Sequence, residues 1–359
     1  MPGPLRLTRV AFADLPGWDR ADPARALAAF RRGCAVLARK PPAAPMGRYG
    51  GRVADWLSVC AVAKGDARHF FESHFVPFEI SAGRVREGLF TGYYEPLIHA
   101  SRTRHGAYRT PVYGLPSDLV TADLGRFLPG LRGEHIAGRL DGRRLVPYAS
   151  RADIDANGLS AARVLFWCDD AVALFFLQIQ GSGRVVLDDG TSERIAFAGT
   201  NGRPYTAIGR VLIAKGALTR ENVSLARIRA WLKAHPADAR RVMEADRSFV
   251  FFAEAPLGDP ALGSPGTLGT ALVPGASLAV DARLHPLGAP FYVAAGPVTG
   301  LMAALDTGGA IRGPVRGDVF FGFGEKAEAM AGGMKAKGRL YVLLPDALAA
   351  RIGAQRDFP

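Results

Sequence analysis

Three segments of this 359-residue chain carry side chains that can bind or transform a ligand. The first is Phe90-Thr91-Gly92-Tyr93-Tyr94-Glu95-Pro96, two phenols beside a carboxylate, with the Thr91 hydroxyl just upstream. A tyrosine offers a flat apolar face and a polar edge, which suits a sugar ring. A strand end packed in the core would have the same composition. The second is Leu177-Gln178-Ile179-Gln180-Gly181-Ser182-Gly183. As a strand, it places Gln178, Gln180 and Ser182 on one face by their period of two. That ladder suits hydroxyl and N-acetyl groups, although solvated outward residues alternate in the same way. The third runs from Asp306, which closes the apolar stretch Leu301 to Leu305, to Asp318, which opens another before Val319, Phe320 and Phe321. A carboxyl flanked by phenylalanines is desolvated and its pKa rises, as a general acid requires. Arg312 and Arg316 act in the opposite sense if they point at it, and an aspartate beside glycines also caps turns through local hydrogen bonds.

Other chemistries find no support in the sequence. Gly181-Ser182-Gly183 begins like a dinucleotide fingerprint, but Val186 stands at the third glycine position, and no Walker loop occurs. Ser182 is not in a nucleophile elbow. The seven histidines have no zinc spacing, so neither a metal nor a cofactor is expected. Lys plus Arg outnumber Asp plus Glu by 45 to 33, for a net charge of +12. That charge favours an anionic partner. The basic residues are scattered without an aromatic RNA signature or a recognition helix, so neither nucleic acid nor nucleotide is expected as that partner.

The elements that must position these residues change character along the chain. The first 80 residues read as helical. Asp22-Pro23 is a helix start, and Leu27, Phe30, Cys34 and Leu37 follow on one face. A second helix is expected over about 53–63 and a third over about 66–75. Cys34 and Cys60 both fall on apolar helix faces, so they are either a disulfide, given an oxidising compartment, or two buried thiols. Beyond residue 86, short apolar or alternating runs punctuated by glycine and proline read as strands. They include 89–94, 145–148, 173–180, 184–188, 194–198, 249–253, 290–294, 301–305, 318–322 and 339–344. Asp189-Gly190 reads as a hairpin turn. Helices are expected over 206–215 and 224–245, and 258–275 is a glycine- and proline-rich loop. With 43 glycines and 25 prolines, a mainly β fold of barrel type is the better expectation. The chain has no apolar run of about 18 residues that would span a membrane, and no export signal is legible at its start.

Taken together, these segments resemble the lytic murein transglycosylase A family. The resemblance rests on Gly92 to Pro96, Leu177 to Gly183, Ala198-Gly199-Thr200-Asn201-Gly202, Pro204 to Gly209 and Ser248 to Phe252. It continues through Ala279-Val280-Asp281, Asp306 to Ile311 and Asp318-Val319-Phe320, in collinear order over about residues 86–345. It implies a mainly β protein with N-terminal helices, in which a double-psi β-barrel domain carries a second, inserted β-barrel. The corresponding boundaries are a helical segment at 1–85, a catalytic three-aspartate barrel at 86–100 plus 253–345, a substrate-binding insert at 101–252, and a tail at 346–359.

The resemblance also implies an activity: cleavage of the β-1,4 bond from N-acetylmuramic acid to N-acetylglucosamine without water, leaving a 1,6-anhydro end. Asp318 corresponds to the acid–base residue, Asp306 to a second groove acid, and Asp281 to an aspartate that holds the barrel. Thr91, Tyr93, Tyr94, Glu95, Gln178, Gln180, Ser182 and Tyr205 are the expected substrate contacts. Peptidoglycan glycan strands are the expected partner of a monomer in the periplasm, associated with the outer membrane. A place in a cell-wall synthesis complex does not follow from the residues. Two other classes stay open at this point: a glycoside hydrolase pairing Asp318 with Asp306 or Glu95, and a barrel that binds peptidoglycan without cleaving it.

Overall fold

The computed structural model describes residues 4–131 and 134–358. They fall into two compact units, one built from residues up to Tyr94 with those from Asp259 onward, the other from Glu95–Gly258. The boundary expected after residue 100 therefore lies six residues earlier, because Leu97–Ser101 pairs inside the second unit's sheet.

The first unit opens with strand β1 (Leu5–Arg9), helices α1 (Ala24–Leu37), α2 (Ala54–Ala61) and α3 (Ala67–His74), and strands β2 (Phe75–Ala82) and β3 (Gly88–Glu95). The segment before residue 86 is thus not wholly helical. Asp22 accepts from Ala24 N at 2.9 Å at the start of α1, and Leu27, Phe30, Cys34 and Leu37 are buried along one face as their spacing demands. Cys34 is bonded to Cys60 of α2, with 5.4 Å between the Cα atoms. Phe30 meets Phe70 and Phe71 of α3 and Phe75 of β2, all within 6.2 Å between ring centroids.

The second unit contains β4 (Leu97–Ser101), β5 (Thr110–Tyr113), β6 (Val120–Asp123), β7 (His135–Asp141), β8 (Arg144–Pro147), α4 (Arg151–Asn157) and β9 (Val164–Cys168). It continues with α5 (Ala171–Gln180), β10 (Ser182–Leu187), β11 (Ser192–Thr200), α6 (Ile208–Ala214), α7 (Leu225–Ala234), α8 (Pro236–Glu244) and β12 (Val250–Ala255). Six of its strands form a sheet in the order β12-β11-β10-β4-β9-β5, and β6-β7-β8 form a smaller one. The Asp189-Gly190 hairpin joins β10 to β11. The single helix expected over 224–245 is broken at Pro236, which lacks the N–H that a continuous helix needs.

The strand expected over 173–180 is a helix. Asp170 caps α5 by accepting from Val172 N and Ala173 N at 2.8 and 3.0 Å. Gly181 ends it at φ +81°. The run Ala-Val-Ala-Leu-Phe-Phe-Leu is apolar on every side, so its periodicity cannot separate a buried strand from a buried helix. The flanking Asp and Gly decide the matter.

The chain then returns to the first unit with β13 (Ser277–Ala279), β14 (Pro290–Ala295), β15 (Val298–Asp306), β16 (Arg316–Phe323), α9 (Gly324–Gly333), β17 (Lys335–Pro345), α10 (Asp346–Ile352) and β18 (Gln355–Phe358). The sheet order is β14-β15-β13-β16-β3-β17-β2-β1-β18. Because β17 also pairs with β14, six strands form a closed circuit of hydrogen-bonded neighbours. The expected tail is part of this sheet, with β18 antiparallel to β1. Leu278, Phe291, Ala304, Val319 and Leu340 pack the interior of the unit.

Candidate active site

The short strand β13 sets the spacing of the two acids. Ala279 pairs with Asp306 of β15 in parallel and with Asp318 of β16 in antiparallel register. Lateral neighbours in a sheet share a face, and strands lie about 4.8 Å apart. The two aspartate backbones therefore stand roughly 10 Å apart across a methyl group, and their side chains reach over it.

Asp318 is half-buried. Thr91 of β3 donates its hydroxyl to Asp318 Oδ1 at 2.6 Å, and Arg316 Nη2 donates to the same threonine oxygen at 2.8 Å. Arg316 spends its other terminal nitrogen on the carbonyls of Leu89 and Gly317. Its charge thus lies behind the threonine and makes no bidentate pair with the acid. Burial pushes the Asp318 carboxyl above the usual carboxylate range, and the Asp306 charge adds to that. The Thr91 hydroxyl and the Arg316 charge oppose the rise without cancelling it.

Asp306 receives four donors. Thr267 N, Thr267 Oγ1 and Thr307 N each lie 2.9 Å from Oδ1, and the Tyr93 hydroxyl lies 2.9 Å from Oδ2. Burial and the Asp306 charge push the Tyr93 phenol well above its ordinary pKa, so it remains a donor. Two glycines permit these approaches. A Cβ on Gly92 would stand 2.3 Å from the Phe321 ring, and one on Gly266 would stand 2.6 Å from the Leu305 carbonyl. Gly266 thereby lets the glycine-rich loop lay Thr267 against Asp306.

The connection from β15 to β16 is pinned from below. Asp281 accepts from Arg283 Nε and Nη2 at 2.9 and 2.7 Å and from Gly313 N at 3.0 Å. The Arg283 guanidinium pulls its pKa down to about 2. His285 donates from Nε2 to the Pro314 carbonyl at 2.9 Å, so Nδ1 accepts the Tyr49 hydroxyl at 2.5 Å. Burial lowers the His285 pKa to about 4, which keeps the ring neutral. Arg316 was read in the sequence as a charge that opposes the rise if it points at Asp318, and it does oppose it. Thr267 and His285 were missed, since they reach the site through tertiary contacts.

The remaining sequence candidates divide. Thr91 and Tyr93 join the acids. Glu95 does not: its side chain is 1% exposed and accepts from Arg194 Nε at 2.8 Å and Arg184 Nε at 3.5 Å, an ion cluster inside the second unit. Tyr94 is buried. Gln178 is also buried, accepting from Arg151 Nη1 at 2.6 Å and donating to the Val250 carbonyl at 3.4 Å. Its amide therefore does not alternate on an open face with Gln180 and Ser182. Gln180 is exposed at the end of α5, and Ser182 is half-buried at the start of β10. Tyr205 is 57% exposed. With Gln178, Ile179, Arg151, Asp246, Ser248 and Val250 it lines a cavity of about 280 Å³.

The sequence and fold both have relatives. Residues 89–253 match the family described as MltA specific insert domain, and residues 276–344 match the 3D domain. The membrane-bound lytic murein transglycosylase A of Escherichia coli K12 is 32% identical over 307 residues, 81% of this chain and 74% of that protein. The crystal structure of MltA from Neisseria gonorrhoeae superposes with a TM-score of 0.82 at 32% identity, covering 96% of this chain and 92% of that one. E. coli MltA with bound chitohexaose gives 0.67 at 27% identity, with 96% and 95% covered. On the identity and the shared length, this chain belongs to the lytic murein transglycosylase A family.

Proposed function

We propose that this protein is a peptidoglycan lytic transglycosylase, a lyase that acts on glycan strands, with Asp318 as its single general acid and base. The carrying observation is the contrast between the two aspartates. Asp318 has a raised pKa and one hydroxyl partner, whereas Asp306 is surrounded by four donors. A hydrolase needs a second carboxyl free to attack or to activate water. Asp306 accepts three donors on Oδ1 and the Tyr93 hydroxyl on Oδ2, which favours an orienting and electrostatic role.

In the first step, Asp318 gives its proton to the glycosidic oxygen as the C1–O4 bond breaks. Asp318, now a carboxylate, takes the proton of the muramoyl 6-hydroxyl as that oxygen bonds to C1. The acid is restored, the 1,6-anhydro ring closes and no water is consumed. Intramolecular attack has effective molarities of about 10⁵–10⁸ M, which makes a positioned water unnecessary. Arg316, acting through Thr91, stabilises the carboxylate that forms between the two proton transfers. Tyr93, Gln180, Ser182 and Tyr205 are the proposed sugar contacts. Tyr94, Glu95 and Gln178 shape the elements that carry them.

The finer architecture belongs to the same proposal. The six-strand circuit supports a double-psi β-barrel, with the second unit as the inserted substrate-binding barrel. A peptidoglycan substrate supports a periplasmic location, the Cys34–Cys60 bond supports an oxidising compartment, and the protein is proposed to act as a monomer. Relatives named membrane-bound support association with the outer membrane. The test of function is Asp318→Asn in a murein-clearing assay beside a glycan-binding isotherm. Lost turnover with retained binding is expected. An active variant would move the acid elsewhere, to Asp306 first.

A further inference from the structure

The second unit holds a larger cavity that the cleavage chemistry does not use. It measures about 540 Å³ and is walled by Trp167, Tyr113, Ile154, Leu174 and Met243 on its apolar sides. Four arginines line it with a single carboxylate, Asp155. Two of the arginines are occupied: Arg240 pairs with Glu244, and Arg151 binds Gln178 and the carbonyls of Asp246 and Ser248.

The other two are available. Arg104 stacks on Trp167, its guanidinium 5.4 Å from the ring centroid, and among the described residues no hydrogen bond or ion pair engages it. Arg109 commits only Nε, to the Gly106 carbonyl at 2.7 Å. A guanidinium lying over an indole is partly ordered before any ligand arrives, and its N–H fork matches a carboxylate. Asp155 has no hydrogen-bonded partner among the described residues and offers one anionic position for an ammonium. The cavity thus asks for a short ligand with more carboxylates than amines and with small apolar groups between them.

Resting on the transglycosylase reading, we propose that this cavity is a subsite for the acidic stem peptide carried by the glycan strand. Arg104 and Arg109 take the stem carboxylates, Asp155 takes the free amine of its diamino acid, and Trp167 covers the aliphatic portion. The cavity shares Arg151 and Gln178 as a common wall with the smaller one lined by Tyr205, where sugar contacts were proposed. The buried Arg151–Gln178 hydrogen bond fixes that wall.

The experiment compares two substrates on the full chain: strands that bear stems, and the same strands stripped by an amidase. Arg104→Ala with Arg109→Ala should raise KM for stem-bearing strands about tenfold or more, the loss of one good charged contact. Its kcat should hold, and both constants for stripped strands should stay as in the wild type. Both arginines are exposed, so folding should survive, and Arg104→Glu should deepen the same selective loss. Equal losses on both substrates, or none on either, would overturn the subsite. A titration of the free stem tetrapeptide separates this idea from the enzymatic reading. If the wild type cleaves neither substrate, saturable peptide binding that the double variant loses still supports the cavity, and absent binding rejects it.

Discussion

At the scale of single residues, the proposed catalysis depends on a carboxyl that must be protonated before the bond breaks. Activity should therefore fall as pH rises through the Asp318 pKa, and every neighbour that shifts this pKa should shift the alkaline limb. Removing the Arg316 charge (Arg316→Gln) removes an influence that lowers the pKa, so the limb should move to higher pH. Asp306→Asn removes a like charge that raises it, so the limb should move to lower pH. Rate profiles of the two variants against pH check both signs, and shifts in the same direction would show that Asp318 is not the titrating group. Asp318→Asn itself should lower turnover by about 10²–10⁴-fold, the usual worth of positioned proton transfer. Asp306→Asn should cost less, since it perturbs orientation and field only.

At the scale of elements, α5 shows where local pattern gives out. The sequence placed Gln178 and Gln180 on one polar face because it read a strand. On a helix they point apart, one into the Arg151 network and one to solvent. Gln178→Ala should therefore act on stability, about 1–3 kcal/mol for leaving a buried guanidinium N–H without its acceptor. Gln180→Ala should leave thermal unfolding unchanged and weaken glycan binding. Calorimetry and a binding isotherm on each variant separate the two. The two aspartates that flank β13 were picked out because a strand ending and a strand beginning around a glycine turn are local facts. The helices of the first 80 residues were legible from periodicity. Their flanking strands β1 and β2 were not, nor was β18, because pairing across the whole chain length leaves little trace in a short segment. Glu95 looked like a site residue for a related reason: its arginine partners lie about 90 to 100 positions away, beyond any local reading.

Across the whole molecule, stability has a pH dependence set by buried groups outside the pair of acids. The neutral, buried His285 has a folded-state pKa of about 4, against about 6.5 in an unfolded chain. Its contribution is present above about pH 6.5 and is lost as pH falls toward 4, on the order of 3 kcal/mol over the window. Asp281 loses its contribution only as pH falls further, toward about 2. Denaturation curves at pH 7 and 5 should show the wild type weakening, and His285→Gln should flatten that slope. The disulfide closes a loop with a sequence separation of 26, so Cys34→Ser with Cys60→Ser should cost about 3 kcal/mol, without altering the products formed. Those products bear most directly on the central claim. Mass spectrometry of murein digested in water enriched in heavy oxygen should find new muramoyl ends one water lighter than reducing ends, with no heavy oxygen incorporated. Reducing ends carrying one heavy oxygen would contradict it and make the enzyme a hydrolase.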